Sequence, residues 1–263
     1  MRRWLRTRKG SAVRDGGFSL TELMVTMFIM GMVVAATVSL TIGFERTNAE
    51  NVSRQDQIDS ARTAVEAMSK SLRTAVKPAQ LTSTCTSCLE DAFLQGTDFS
   101  VQFYANLNNP KNKIGPSRVT YTLVTTGPKA GQIIETIQQA DPDSDGSGPN
   151  PWPDPISGYA YCEATSGSAT AACKARLSTR PVAFGAIATA GKPMLKYYDA
   201  EGVPMSPSTP GGSLTVPELR TVLSIEILVT VQSTNVTKPN PTTYVQRVTL
   251  PNAQAVIRET EEG

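Results

Sequence analysis

An apolar run near the N-terminus constrains the fold of this chain more than any other feature. The 22 residues from Leu23 to Phe44 contain no charged side chain. An α-helix rises about 1.5 Å per residue, so a helix of this length is about 33 Å long and can cross a hydrocarbon core of about 30 Å. The run therefore predicts a membrane-spanning helix.

The residues before this run are basic. They are Arg2, Arg3, Arg6, Arg8, Lys9 and Arg14, against the single acid Asp15. Positive charge keeps the flank that carries it on the cytoplasmic side of a membrane. We therefore expect a cytoplasmic N-terminus and an extracytoplasmic location for the residues after about position 45.

Glu22 does not fit a simple membrane anchor. An ionised carboxylate at the centre of a membrane helix costs roughly 2.5–3.5 kcal/mol on insertion scales, so an acid in this position needs a partner. If the chain is cut before Phe18, the new terminal amine of a neighbouring subunit can neutralise Glu22. Glu22 therefore indicates association with another chain.

The stretch from Gly16 to Val25, with Gly17, Phe18 and Glu22 in register after a basic leader, resembles the class III signal of type IV pilins and the related pseudopilins. The resemblance implies that a prepilin peptidase cuts after Gly17 and methylates Phe18. It also implies that Glu22, the fifth mature residue, pairs with the terminal amine of an adjacent subunit during assembly. The alternative is an ordinary signal peptide or plain anchor, and Ala36 lies in a stretch of small residues where a signal peptidase could cut. Cleavage there would leave Glu22 unexplained.

The predicted organisation has four parts. They are a leader at residues 1–17, a transmembrane and filament-core helix at 18–44, an amphipathic helix at 45–77 and one β-rich extracytoplasmic domain at 78–263. The whole chain has a net charge of +2, but the leader holds six basic residues and one acid, so the rest of the chain is about −3. The basic pI is thus a property of the leader, and no nucleic-acid partner is expected.

Enzymatic activity is not expected. The sequence contains no histidine, which excludes a histidine base, triad or metal ligand. It also contains no phosphate-binding glycine loop of the usual spacings and no serine elbow. The chain is therefore predicted to bind or to assemble rather than to catalyse.

The helix that follows the membrane segment has one apolar stripe and a proline at its end. The stripe consists of Ile58, Ala61, Val65, Met68, Leu72 and Ala75. This spacing predicts a helix that packs on a sheet through one face, with a coiled-coil partner as the alternative. Pro78 ends the helix because proline has no amide donor and its predecessor avoids helical angles.

The remaining sequence predicts an antiparallel sheet and hence an α+β, pilin-like fold. The strand candidates are Phe99–Tyr104, Arg118–Val124, Gln132–Gln138, Pro193–Tyr198, Leu219–Gln232 and Thr243–Leu250. The last two would form a hairpin through the loop at residues 238–241. Residues 251–263 end acidic and predict an exposed tail.

A second resemblance lies in the C-terminal half. The order Tyr197-Tyr198-Asp199, Gly202, a loop and then a strand led by Pro217 is similar to PilW-like minor pilins and to J-type pseudopilins of type II secretion. Many major pilins carry a proline about twenty residues into the mature helix, and the corresponding stretch here, residues 37–40, has none. Both features favour a large minor subunit at a filament tip.

Four cysteines lie outside the predicted membrane segment. In an oxidising compartment loop closure favours local disulfides, Cys85 with Cys88 and Cys162 with Cys173. A zinc site is the alternative, because Cys85 and Cys88 have metal-ligand spacing, although the second pair is too widely spaced for the usual motif. A redox role would need a thioredoxin-like context that the sequence lacks.

One acidic loop is a candidate metal site. Asp141, Asp143 and Asp145 alternate before a glycine, as in the first half of an EF-hand calcium loop. The twelfth position is Trp152 rather than glutamate, and Asp154 is the one later carboxylate nearby. The alternatives are a Ca²⁺ site and a solvated turn, and no other cofactor is expected.

These features lead to one main hypothesis and two alternatives. The main hypothesis is that the chain is a minor type IV pilin, inserted in the inner membrane and assembled at or near a pilus tip. Its partners are the prepilin peptidase, major and minor pilins, the inner-membrane assembly platform and, at the tip, an adhesin. Twitching motility is one role of such pili. The alternatives are a type II secretion pseudopilin and an anchored extracytoplasmic binding domain that never polymerises.

Overall fold

A computed structural model describes residues 17, 19–81, 91–109, 114–142, 159–189, 191–209, 211–232 and 240–251. The chain divides into two compact units, residues 1–49 and 50–263. A single α-helix, α1, runs from Leu20 to Leu72 and contributes residues to both units. The predicted α+β fold is confirmed, with a long N-terminal helix packed on antiparallel sheets.

The second half of α1 packs through the predicted apolar stripe. Its buried apolar residues are Ala61, Ala64, Val65, Met68 and Leu72. Ile58 was predicted to belong to this stripe, but 39% of its surface is exposed. The stripe is continued instead by Gln57, which is buried and accepts a hydrogen bond of 3.0 Å from the Thr242 hydroxyl. Gln57 lies four residues before Ala61, and residues four apart share one face of a helix, so Gln57 rather than Ile58 lies on the packed face.

The C-terminal end of α1 differs from the prediction. The helix ends at Leu72, five residues before the predicted end at Lys77. Ala75 forms a β-bridge with Ala105 in the first sheet, so the backbone must leave helical geometry before this point. Pro78 instead begins a short 3-10 helix that ends at Gln80.

Five strands form the first antiparallel sheet in the described ranges, in the order β1-β2-β3-β4-β5. They are β1 (Phe93–Gly96), β2 (Ser100–Ala105), β3 (Ser117–Leu123), β4 (Ile133–Gln138) and β5 (Leu177–Ala183). The predicted boundaries of β2, β3 and β4 agree to within one residue. β1 was not predicted because it is only four residues long. β5 was not predicted because most of its side chains are exposed and its pattern does not alternate.

Four described strands form the second sheet, in the order β7-β6-β8-β9. They are β6 (Leu195–Tyr198), β7 (Pro204–Met205), β8 (Ser224–Val231) and β9 (Thr242–Thr249). The antiparallel β8–β9 pair is the predicted hairpin, and most of its loop lies outside the described residues.

The predicted strand at Leu219–Gln232 was wrong at its beginning. Residues Val216–Thr221 form a helix, here called α3; a second short helix, α2, spans Ala171–Ala175. The amide and the hydroxyl of Thr215 both donate to Glu218 Oε2, at 2.7 and 2.8 Å. This capping box stabilises the first turn of α3 and outweighs the β-propensity of the apolar residues that follow.

The two sheets meet where the chain leaves β5. Ala186 forms a β-bridge with Val231 at the end of β8, and the Gln232 amide donates to the Gly185 carbonyl at 2.9 Å. Gly185 has φ of 70°, and a Cβ there would lie 2.7 Å from the Gln232 carbonyl oxygen. Glycine is therefore required at this junction. Buried apolar side chains of both sheets and of α1 form one continuous core.

Candidate functional site

The N-terminal end of α1 carries the residues that the sequence singled out. The helix begins at Leu20, and the Leu23 amide donates to the Ser19 carbonyl at 3.1 Å. The hydroxyls of Ser19 and Thr21 lie 2.7 Å apart. Glu22 is exposed in the first turn. Phe18 lies outside the described residues, as do residues 1–16.

Glu22 forms no hydrogen bond or ion pair with any other described residue. Its position suits the positive end of the helix dipole, which favours an acid in the first turn. The spacing from Ser19 to Glu22 is also that of a capping box, yet in the described structure the Glu22 side chain accepts no hydrogen bond from Ser19. The carboxylate is therefore available to a partner from outside the described chain.

The first half of α1 exposes apolar side chains on all sides. The large ones are Leu20, Leu23, Met24, Val25, Met27, Phe28, Ile29, Met30, Met32, Val33, Val34, Val38, Leu40, Ile42 and Phe44. By length and composition, α1 is able to cross a membrane. A helix that is apolar all round is stable in lipid or among other helices, but not in water.

The hydroxyl groups in this half of α1 are also compatible with an apolar surrounding. Thr26 donates to the carbonyl three residues earlier, Thr37 to those three and four residues earlier, and Ser39, Thr41 and Thr47 to the carbonyl four residues earlier. A hydroxyl that is bonded to its own helix needs no water. These five hydroxyl groups therefore do not oppose burial in a membrane or in a bundle of helices.

An exposed apolar helix, an acid in its first turn that has no partner among the described residues, and a β-rich unit are together consistent with a protein that is anchored by its N-terminal helix. Residues 13–38 match the family model described as the prokaryotic N-terminal methylation motif. This match indicates a type IV pilin-like protein that is processed by prepilin peptidase. A search of the curated proteins found no match.

The unit at residues 50–263 contains a buried polar centre that was not predicted from the sequence. Glu135 on β4 is only 2% exposed and accepts hydrogen bonds from the Tyr121 hydroxyl and from Arg180 Nε. The Tyr121 hydroxyl also lies 2.9 Å from Ser71 Oγ near the end of α1. The centre thus joins three adjacent strands through charge-assisted hydrogen bonds and contacts α1 through the Ser71 hydroxyl.

A sequence signal for this centre exists. Glu135 stands between Ile133 and Ile137 in a strand where alternate residues face the core. An acid at an inward position requires a buried cation or donor. The partner cation is on β5, the strand that the sequence analysis missed, so the pairing could not be inferred.

Burial and the hydrogen bond to Glu135 raise the pKa of Tyr121 well above its usual value, and burial does the same for the pKa of Tyr197. Both hydroxyls stay protonated in the folded chain, whereas in the unfolded chain they ionise near pH 10.0. The stabilisation that these two protonated hydroxyls provide is therefore fully present below that pH and is lost as the pH rises further.

We expect a Tyr121→Phe variant to be less stable at pH 8 but to lose less stability between pH 9 and 11. Chemical denaturation across this range tests this, and equal pH slopes in both proteins would contradict it.

The structure joins Cys162 and Cys173 in a disulfide, which is one of the two predicted local pairs. Cys173 lies in α2, whose first turn is capped by the Thr170 hydroxyl. The other predicted pair, Cys85 and Cys88, lies outside the described residues. The disulfide closes the segment that packs beside the end of β4, where Gln138 Nε2 donates to the Cys162 carbonyl.

Asp141 is the one predicted calcium ligand that the structure describes. Its Oδ1 forms an ion pair of 2.9 Å with Arg176 Nη2. Asp143 and Asp145, together with Trp152 and Asp154, lie outside the described residues. A calcium ion at this loop would have to share the Asp141 carboxylate with a guanidinium, which weakens the fit because the cations repel each other.

Proposed function

We propose that this chain is a minor type IV pilin. It is made as a prepilin and inserted in the inner membrane with its N-terminus in the cytoplasm. Prepilin peptidase cuts it after Gly17, and the product is assembled at or near the tip of a pilus. The observation that carries this proposal is the methylation motif at residues 13–38, whose acid, Glu22, has no partner among the described residues.

The role of the N-terminal segment follows from its chemistry. In a filament the apolar first half of α1 exchanges lipid for the helices of neighbouring subunits, so its apolar surface stays out of water. The terminal amine of Phe18 on one subunit meets Glu22 on the next. An ion pair in a low-dielectric environment depends strongly on distance, and therefore sets the axial register between neighbouring helices.

Two features support a minor rather than a major subunit. The described α1 is unbroken from Leu20 to Leu72 and has no proline in its first half. The β-rich part that follows contains two sheets and is large for a unit that must repeat along a fibre. A subunit of this kind is suited to the tip of the filament, a position that is not repeated along the fibre.

The proposed work of the chain is mechanical and associative, without catalysis. Its partners are other pilins, the inner-membrane assembly platform and, at the tip, an adhesin. The unit at residues 50–263 is then extracytoplasmic, in the periplasm before assembly and at the cell surface afterwards. This location agrees with the Cys162–Cys173 disulfide, because such bonds persist in oxidising compartments.

Processing tests this proposal directly. In cells without prepilin peptidase, the chain should be heavier by the 17-residue leader, and a Gly17→Leu variant in normal cells should likewise keep its leader. A Gly10→Leu variant is the matched control, because it changes a leader glycine away from the cleavage point. Equal masses with and without the peptidase would contradict the proposal.

A further inference from the structure

The two sheets have four edge strands in the described part of the chain, and three of them are protected. At β1, the Gly96 amide donates to Ser213 Oγ at 3.1 Å, and the Gly96 carbonyl accepts from the Leu214 amide at 2.8 Å. β5 contains Pro181 and a register irregularity, and β7 has only two residues. Covering segments, prolines, bulges and shortness are the usual means of preventing strand addition at an edge.

The fourth edge, β9, has none of these features. It is eight residues long, and its register with β8 is unbroken from Thr242 to Thr249. It contains no proline. The Leu250 amide donates to the Leu223 carbonyl at the end of the β8–β9 pair. In an antiparallel pair alternate residues direct their backbone groups to the same neighbour, so the even-numbered residues of β9 direct their amides and carbonyls toward β8.

The odd-numbered residues of β9 therefore direct their backbone groups away from the sheet. They are Thr243, Val245, Arg247 and Thr249, and all four have exposed side chains. Among the described residues, these four amides and four carbonyls have no strand beside them. Such a row of unpaired groups is a template for a further strand.

The single charged residue of β9 does not protect this edge. Arg247 lies over the ring of Tyr198, 3.8 Å from its centroid, and its Nε donates to Ser224 Oγ at 3.0 Å. Both contacts draw the guanidinium toward β6 and β8, away from the open side. A charge that would otherwise repel an incoming strand is thus held over the face of the sheet.

A second copy of this chain does not fit this edge. Pairing of β9 with β9 of a second copy is isologous and needs a two-fold axis between the two copies. In the proposed filament the subunits repeat in one direction through heterologous contacts, and such an axis is incompatible with that repeat. Pairing with β1, β5 or β7 of a second copy meets the protected edges described above.

We propose that β9 pairs with an edge strand of a different pilin-type subunit. This inference rests on the proposed function. A strand of eight residues buries less surface than a stable free complex needs, about 1,200 Å² or more, so the partner must already be held alongside in the same membrane or filament. The partner strand lacks proline, and its side chain opposite Arg247 is uncharged or acidic. Each copy thus joins another kind of subunit.

Site-specific cross-linking tests this pairing. The full chain, with a photo-cross-linking residue in place of Thr243, is produced in membranes together with the other pilin-type subunits of the same cell. We expect an adduct whose partner is identified by mass spectrometry as a different subunit with the same N-terminal motif. The matched control carries the cross-linker in place of Val203, which is also exposed but lies outside β9. Equal adduct yields from both positions, or an adduct of two copies of this chain, would overturn the proposal.

Two substitutions in the same cross-linking chain test the strand itself. Val245→Pro removes an outward amide without removing a bond to β8, and Val245→Lys adds a protecting charge. Each should lower the adduct yield about tenfold, the equivalent of 1.4 kcal/mol, while Val245→Thr should leave it unchanged. The melting temperature of each variant shows whether it is folded. If the Val245→Pro variant does not fold, the Val245→Lys variant alone carries the test. An unchanged yield in a folded Val245→Lys variant would overturn the proposal.

Leader removal, measured in the same samples, separates this inference from the proposed function. If the leader is removed and no adduct to another subunit forms, the strand pairing alone is wrong. If the leader is retained in cells that contain prepilin peptidase, the proposed function fails as well.

Discussion

A Glu22→Ala variant is expected to lose its leader normally and to be strongly depleted in sheared filaments. Glu22 is exposed in the first turn of α1 and has no partner among the described residues, so its alanine variant removes no contact within the described chain. What it removes is the attraction for a terminal amine in apolar surroundings, where charges interact most strongly. We expect incorporation to fall at least about tenfold, which corresponds to 1.4 kcal/mol. Quantitative immunoblotting of filament and membrane fractions measures both processing and incorporation.

Two further variants sharpen this test. Glu22→Gln keeps the shape of the side chain without its charge, and should behave like Glu22→Ala if charge pairing is the cause. Glu45→Ala is the matched control, because Glu45 is an exposed acid of α1 at the other end of the apolar run. Equal incorporation of the Glu22 and Glu45 variants would show that Glu22 does not pair with the amine.

An Arg180→Met variant is expected to destabilise the unit at residues 50–263 by about 2 kcal/mol, since removing one partner of a buried pair leaves an uncompensated charge. Glu135 is 2% exposed, and Arg180 is its cation in the described structure. The expected loss is smaller than for a fully buried pair because the Arg180 side chain is 63% exposed to water. Denaturant unfolding of the full chain in detergent measures the loss.

The chain offers a matched control for this variant. Arg62 also pairs through its Nε with a glutamate carboxylate, that of Glu66, at 2.7 Å, but both side chains are exposed. Arg62→Met should therefore change stability little. Adding Glu135→Gln to Arg180→Met should restore part of the loss, because the buried charge is then absent. Equal effects of the two arginine variants, or no recovery in the double variant, would contradict this role for Glu135.

Much of the fold could be predicted because its strongest patterns are local. The apolar run gives a membrane-length helix, the spacing of Ala61, Val65 and Met68 gives its packed face, and alternation in β2 to β4 gives three strands. The features that were missed depend on distant partners. α1 ends early because Ala75 pairs with Ala105, and β5 forms because β4 offers it an open edge. Neither pairing leaves a periodic signal in the sequence.

The candidate site divides in the same way. Gly17 and Glu22 could be predicted as site residues because the motif that contains them lies within one short segment, residues 13–38. The Tyr121, Glu135 and Arg180 centre was missed because its members come from three strands, one of them unrecognised. The β9 edge was predicted as a strand, but its open side became visible only once the order of strands was known.

The N-terminal residue of the mature chain, purified from cells that contain prepilin peptidase, tests the central claim most directly. Mass spectrometry of its N-terminal peptide should show a chain that begins at Phe18 and carries a methyl group on the terminal amine. A chain that still begins at Met1, or that begins near Ala36, would contradict the account.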